Sequence, residues 1–176
     1  RLCQIESDRT KLFERAVANT DVYFTCYQAQ SLIDAMSLDL FYTMEKLLPV
    51  MASTADACLL LEKNLSLDQR VRLRETMGPL YDAVTGATNG FYSLDLRDPR
   101  DKLCARKLCE INNAQSLTSK SSNRSDTSQK GDWDNWRNER IDYYDGEGVQ
   151  DYDFDEKRPW DLPKDGVIEC DYVSTN

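Results

Sequence analysis

Between Val22 and Met36 the apolar residues Val22, Cys26, Ala29, Ile33 and Met36 step by four, three, four and three. An α-helix, with about 3.6 residues per turn, gathers such a set onto one face, and that face needs another element to cover it. The same spacing continues on both sides. Ser7 caps a predicted first helix with Leu12, Phe13, Ala16 and Val17 on one face, and Asn19 or Thr20 opens the second. Ser37 opens a third, with Leu40, Phe41, Met44, Leu47 and Leu48 before Pro49, and Met51, Ala55, Cys58 and Leu59 continue a fourth. Ser66-Leu67-Asp68-Gln69 is a capping box, in which serine and glutamine satisfy free amides of the first turn. It starts a helix carrying Leu73, Met77, Leu80, Tyr81 and Val84, bent at Gly78-Pro79 and stopped at Gly86. Asp98, followed by Pro99 at the first helical position, starts a last helix with Leu103, Leu108 and Ile111.

Strand signals are nearly absent before residue 160. The expected fold class is therefore all-α: a disulfide-stapled bundle of five or six helices, with an acidic, mostly irregular C-terminal extension pinned back near its end. The staples are inferred from six cysteines, Cys3, Cys26, Cys58, Cys104, Cys109 and Cys170, none in a close pair of the kind that builds zinc or redox sites. An even count spread along the chain indicates disulfides made in an oxidising compartment, with the pairing left open. Asn64-Leu65-Ser66 and Asn123-Arg124-Ser125 are glycosylation sequons. The chain starts at Arg1 without Met, as after removal of a signal peptide, and no apolar run approaches the roughly 20 residues that cross a bilayer. The expectation is a secreted, extracellular glycoprotein.

Charge divides the chain. Residues 131–176 hold 14 acidic against 5 basic side chains, whereas residues 1–130 hold 17 of each, so the net −9 lies in the last quarter. Such a field attracts basic surfaces and repels nucleic acid and anionic membranes. Composition shifts at Asn112, and residues 116–130 are polar and serine-rich. The predicted organisation is a helical disulfide-bonded domain at 1–115, a flexible linker at 116–130 and an acidic aromatic segment at 131–176. Cys170, bonded to the body, would close that segment into a loop, and Val167-Ile168 beside it reads as a short extended stretch.

The chain has no histidine. That removes the commonest general base near neutral pH, the Ser-His and Cys-His nucleophile pairs and the usual zinc and haem ligands. Cysteines committed to disulfides supply no thiolate, and no phosphate-binding glycine loop or nucleophile elbow is present. The expectation is a non-enzyme without cofactor or metal. Asp151-Tyr152-Asp153-Phe154-Asp155-Glu156 begins like a calcium loop, but Glu156 stands where the turn glycine is required and Leu162 where the closing glutamate is required.

The same run, with Asp142-Tyr143-Tyr144-Asp145 before it, has the composition required for tyrosine sulfation, which would add fixed charges able to meet Arg or Lys. Aromatic rings alternating with acids suit an interface anchor. Covering apolar surface of the bundle is the plainer alternative. Residues 139–162 resemble the acidic, Tyr- and Phe-containing tails of hirudin-like anticoagulants from blood-feeding animals, and look similar to sulfotyrosine segments of chemokine receptors. The resemblance implies binding to the basic exosite of a coagulation protease. Arg140-Ile141 would then precede the acidic run as a substrate-like arginine, and Lys157-Arg158-Pro159 would follow it with the Arg158 bond protected by proline. The helical body departs from that family, whose cores are small and loop-rich. Trp133-Asp134-Asn135-Trp136 resembles a C-mannosylation acceptor, although two tryptophans packing the segment's start is the simpler reading.

These features point to a secreted binding protein or antagonist that engages a basic surface on an extracellular protein, either a coagulation or complement protease or a chemokine. The expected contacts are Tyr143, Tyr144, Asp145, Asp151, Tyr152, Asp153, Phe154, Asp155 and Glu156, flanked by Arg140 and Arg158. The alternative places function in the bundle, as a small-ligand carrier or a cytokine-like or pheromone-like signal. A third reading is an acidic structural or mineral-associated protein.

Overall fold

Helices begin where a side chain can satisfy their first free amides, and such caps set most boundaries in the computed structural model, which describes residues 2–18, 22–122, 135–144, 149–151, 162 and 165–174. The chain divides into two compact units, Arg1–Gly86 and Ala87–Asn176. The first unit holds α1 (Leu2–Val17), α2 (Cys26–Met36), α3 (Leu40–Leu47), a 3-10 turn at Leu48–Val50, α4 (Thr54–Asn64), α5 (Leu67–Met77) and α6 (Pro79–Thr85). The predicted capping box of α5 is formed: Ser66 Oγ accepts from Gln69 N, and Gln69 Oε1 accepts from Ser66 N at 2.9 Å. Gly78, at φ 58°, separates α5 from α6, and Gly86, at φ 83°, ends α6 in the left-handed conformation where glycine meets no Cβ penalty.

Two starts differ from expectation. Helix α2 opens at Cys26 rather than at Asn19 or Thr20, because Thr25 and Gln28 form a second reciprocal box, and Val22 is left outside the helix and exposed. Helix α3 is capped by Asp39, whose Oδ1 accepts from Tyr42 N at 2.8 Å, while Ser37, at φ 51°, closes α2 instead of opening α3. In α4 the buried face is Ala57, Leu60 and Leu61, and Leu59 is exposed.

Phe13, Met44, Leu47, Leu48, Leu60 and Leu73 are fully buried in this unit, each burial contributing about 2 kcal/mol before conformational entropy is counted. The segment between α1 and α2 is fastened by a two-bond clip: Phe24 N donates to Val50 O and Ala52 N to Phe24 O, both at 2.8 Å. Asp56, in the first turn of α4, accepts from the amide of Cys26 at 2.8 Å, so one carboxylate caps the start of α2 from another helix.

The second unit corrects the all-α expectation. It contains β1 (Gly90–Asp95), α7 (Pro99–Ser122), β2 (Trp136–Tyr144), β3 (Val149–Asp151) and β4 (Val167–Tyr172), with the strands in one antiparallel sheet of order β1-β4-β2-β3. Burial in β1 has period two: Tyr92, Leu94 and the following Leu96 are buried, while Phe91 and Ser93 are exposed. In β4 the buried set is Ile168, Cys170 and Tyr172. With Cys104, Ala105, Leu108 and Cys109 of α7 they make this unit's core. A one-faced apolar sheet buries its stripe against a helix, so the molecule is mostly helical but carries a helix-on-sheet unit that the helical periodicity did not announce.

Three more expectations change with it. The predicted division at 115 gives way to one after Gly86. The first seven residues of the predicted linker, 116–122, continue α7, since a nucleated helix extends at the cost of fixing one residue per added hydrogen bond, and residues 123–130 lie outside the described residues. The acidic segment, expected to be mostly irregular, contributes β2, β3 and β4. Its end, expected to be pinned to the body through Cys170, instead forms the strand set between β1 and β2. Among the described cysteines no disulfide is formed; Cys26 and Cys58 are half-buried and Cys104, Cys109 and Cys170 are buried.

Candidate functional site

The acidic segment enters the second unit through Asn135, which is fully buried. Its backbone N donates to Asn112 Oδ1 at 2.9 Å, and its Nδ2 donates to Gln115 Oε1 at 2.7 Å and to the Tyr172 hydroxyl at 2.9 Å. The Tyr172 hydroxyl in turn donates to the carbonyl of Leu108 at 2.7 Å. Val173 N donates to Asn135 O at 2.9 Å. The network thus satisfies buried polar groups from α7, β4 and the start of β2 together. Trp136, 3% exposed, lies edge-on to Tyr172 with centroids 5.4 Å apart, and Tyr92 approaches the same ring at 6.2 Å. Trp136 is therefore core, as the simpler reading of the two tryptophans expects; Trp133 lies outside the described residues.

From this anchor β2 runs between β4 and β3. Arg137 stands opposite Asp171 and Arg140 opposite Glu169, with a bulge between them where Asn138 takes φ 51° and its Nδ2 donates to Asp171 Oδ2 at 2.8 Å. Arg140 therefore belongs to a paired strand with an acid across from it. Farther on, Asp142 is opposite Asp151, Tyr143 opposite Gln150 and Tyr144 opposite Val149. Of the expected contact residues, the structure brings Arg140, Tyr143, Tyr144 and Asp151 onto one hairpin at the β3 edge. Asp145, Tyr152, Asp153, Phe154, Asp155, Glu156 and Arg158 lie outside the described residues.

Asn64 is the last residue of α4, half-buried, and its Nδ2 donates to Gln30 Oε1 at 2.7 Å and to Leu60 O at 2.9 Å. Ser66, the third residue of that sequon, is engaged in the α5 capping box. Asn123 and the side chain of Cys3 are not among the described groups.

The residues that sequence reasoning passed over are Asn135, Asn112, Gln115 and Tyr172. Their only sequence signal is the proximity of Asn135 to two tryptophans, because a buried amide network has no periodicity of its own.

Electrostatics elsewhere are local. Burial pushes the Cys58 thiol up, and nearby Glu62 adds to the effect. The Tyr42 hydroxyl donates to Glu14 Oε1 at 2.7 Å and is pushed up to about 12, first by that bond and then by burial. The bond from the Cys26 amide, and then that from Ser53, draw Asp56 down, while Arg97 draws Asp95 down to about 2. Among the described residues no group of three acidic or thiol side chains is placed to hold a metal ion, and no helix is long and apolar enough to cross a membrane. No protein-family model, curated protein or solved structure matches the chain.

Proposed function

We propose that the protein is a secreted binding protein or antagonist that engages a basic surface of an extracellular protein, a coagulation or complement protease or a chemokine, through its acidic tyrosine-rich segment. The observation that carries this reading is the hairpin register: Asp142 and Asp151 occupy directly opposed positions, flanked by Tyr143 and Tyr144. Like-charged residues across an antiparallel pair are unfavourable, and a cationic partner group relieves the repulsion. A strand pair bearing this charge also surrenders less entropy on binding than a solvated tail. The six cysteines and two sequons support export, and disulfide formation belongs to the same proposal.

Arg140 has a role here different from that of a substrate-like arginine. Its position opposite Glu169 suits it to pairing within the sheet, while Tyr143, Tyr144, Asp145, Asp151 and the run through Glu156 are the proposed contacts with the partner. The test is titration of the protein against a thrombin-like protease, a complement protease and a basic chemokine at low and high salt. Binding to one of them that weakens steeply with salt, and weakens at least about tenfold when Asp142 and Asp151 are both changed to Asn, is expected. Binding to none of the three, or binding indifferent to both salt and the substitutions, refutes the proposal.

A further inference from the structure

The other edge of the sheet is built differently. Strand β1 pairs with β4 along one side only, and among the described residues no strand lies on its outer side. The direction of its hydrogen-bonding groups follows from two contacts. Leu96 N donates to Gly166 O at 2.8 Å, so the even-numbered residues of this strand turn their amides and carbonyls toward β4. Asp95 N faces the opposite way and is taken by the Asp101 carboxylate at 3.0 Å. Phe91 and Ser93 share the orientation of Asp95, and their outward amides and carbonyls meet no partner among the described residues.

Native sheets guard such an edge with Lys, Pro, a bulge or a covering element. Gly90-Phe91-Tyr92-Ser93-Leu94 has neither Lys nor Pro and no charge, and its ladder to β4 is regular throughout. Phe91 is 66% exposed, Gly90 and Ser93 are exposed, and a Cβ added at Gly90 would meet nothing within 4 Å. Val173, 49% exposed, follows the β4 residue that pairs with Gly90, so the edge is bordered by an accessible apolar residue as well.

We infer that β1 is a self-association edge, on which a second copy of this chain adds its own β1 antiparallel about a two-fold axis through Tyr92. In that register Phe91 of each copy lies opposite Ser93 of the other. The four outward amides and four outward carbonyls that the two copies expose there satisfy one another, which is the closed, isologous arrangement that symmetric dimers use. Asp95 falls opposite Asn89 of the second copy, so no like charges meet. The choice of a second copy over a foreign peptide rests on charge. The edge is nearly neutral and offers nothing to select a charged ligand, and the acidic hairpin is two strand spacings or more away, about 10 Å, beyond the screening length at physiological salt. The inference is independent of the acidic hairpin's target.

Sedimentation equilibrium in reducing buffer, combined with amide hydrogen exchange, tests it. The expected result is a concentration-dependent species of about twice 20.3 kDa. The Phe91 and Ser93 amides should be protected where the dimer predominates and exchange quickly on dilution. Phe91→Lys, which places charge on the edge, and Ser93→Pro, which removes an outward donor, should each raise the dimer dissociation constant about tenfold or more. Circular dichroism establishes that each variant is folded, and Phe91→Lys alone decides if Ser93→Pro is not. A chain monomeric at its highest soluble concentration overturns the inference. So does a dimer that survives the folded variants, or one in which those two amides stay unprotected.

Discussion

Tyr172 shows how much one side chain can organise. Its ring is the shared neighbour of Trp136 and Tyr92, and its hydroxyl is donor to Leu108 and acceptor from Asn135. Changing Tyr172 to Phe keeps the ring but takes the acceptor from one Asn135 hydrogen in the interior and the extra donor from the Leu108 carbonyl. The expected loss is about 1–3 kcal/mol in denaturant unfolding. Binding at the hairpin should weaken only to the extent that the fold loosens. Single residues also set the pH limits. Asp95 and Asp56 both have folded-state values drawn below the ordinary 3.8, so their contributions are complete above that pH and fade as the pH falls below it, for Asp95 through about 2. Tyr42, raised from 10.0 to about 12, behaves in the opposite sense: its contribution is complete below pH 10 and fades as the pH climbs through 12. Thermal unfolding across pH should therefore show an acid limb that shrinks in Asp95→Asn and an alkaline limb that shrinks in Tyr42→Phe.

Helix ends were legible wherever a cap and its partner lie within one turn. The Ser66/Gln69 box, the Gly78-Pro79 break, the Gly86 stop and the Asp98-Pro99 start all depend on neighbours along the chain, and all four appear in the structure. The Thr25/Gln28 box escaped because Val22 fits the helical spacing by coincidence and drew the predicted start upstream of it. Strand β1 was hidden in a six-residue span with only Tyr92 and Leu94 buried, too short for alternation to outweigh the helical background. Strand β2 was hidden by its composition, Trp-Arg-Asn-Glu-Arg-Ile-Asp-Tyr-Tyr, and by the bulge at Asn138, which shifts the phase of any alternation partway along. Both strands are specified by what they pair with, β4, which lies far from either in sequence. The acidic, aromatic character of the candidate site was plain from composition, but its hairpin form and the amide network beneath it were not, since both depend on long-range register.

For the molecule as a whole, the boundary after Gly86 replaces the one that composition indicated near residue 115. The two positions have opposite consequences for a fragment. Residues 1–86 contain six helices with their own buried core and should unfold cooperatively when expressed alone. Residues 1–115 would add β1 and most of α7 without β2, β3 and β4, leaving apolar surface of this second unit's core exposed. That fragment should aggregate or bind a hydrophobic dye where 1–86 does not; equal behaviour of the two would place the boundary elsewhere. For the same reason, deleting everything beyond Gln115 does not separate body from tail, because it removes half of a core.

The central place of β4 also bears on synthesis. It is the last strand among the described residues, yet β1 is joined to the β2–β3 pair only through it. As the polypeptide emerges, the first 86 residues can complete their packing while later ones are still being added. The second unit must wait until residues 167–172 have been made. Throughout that interval Tyr92, Leu94 and the buried side of α7 are without their cover, so this half of the molecule depends, during its biogenesis, on whatever shields nascent apolar surface.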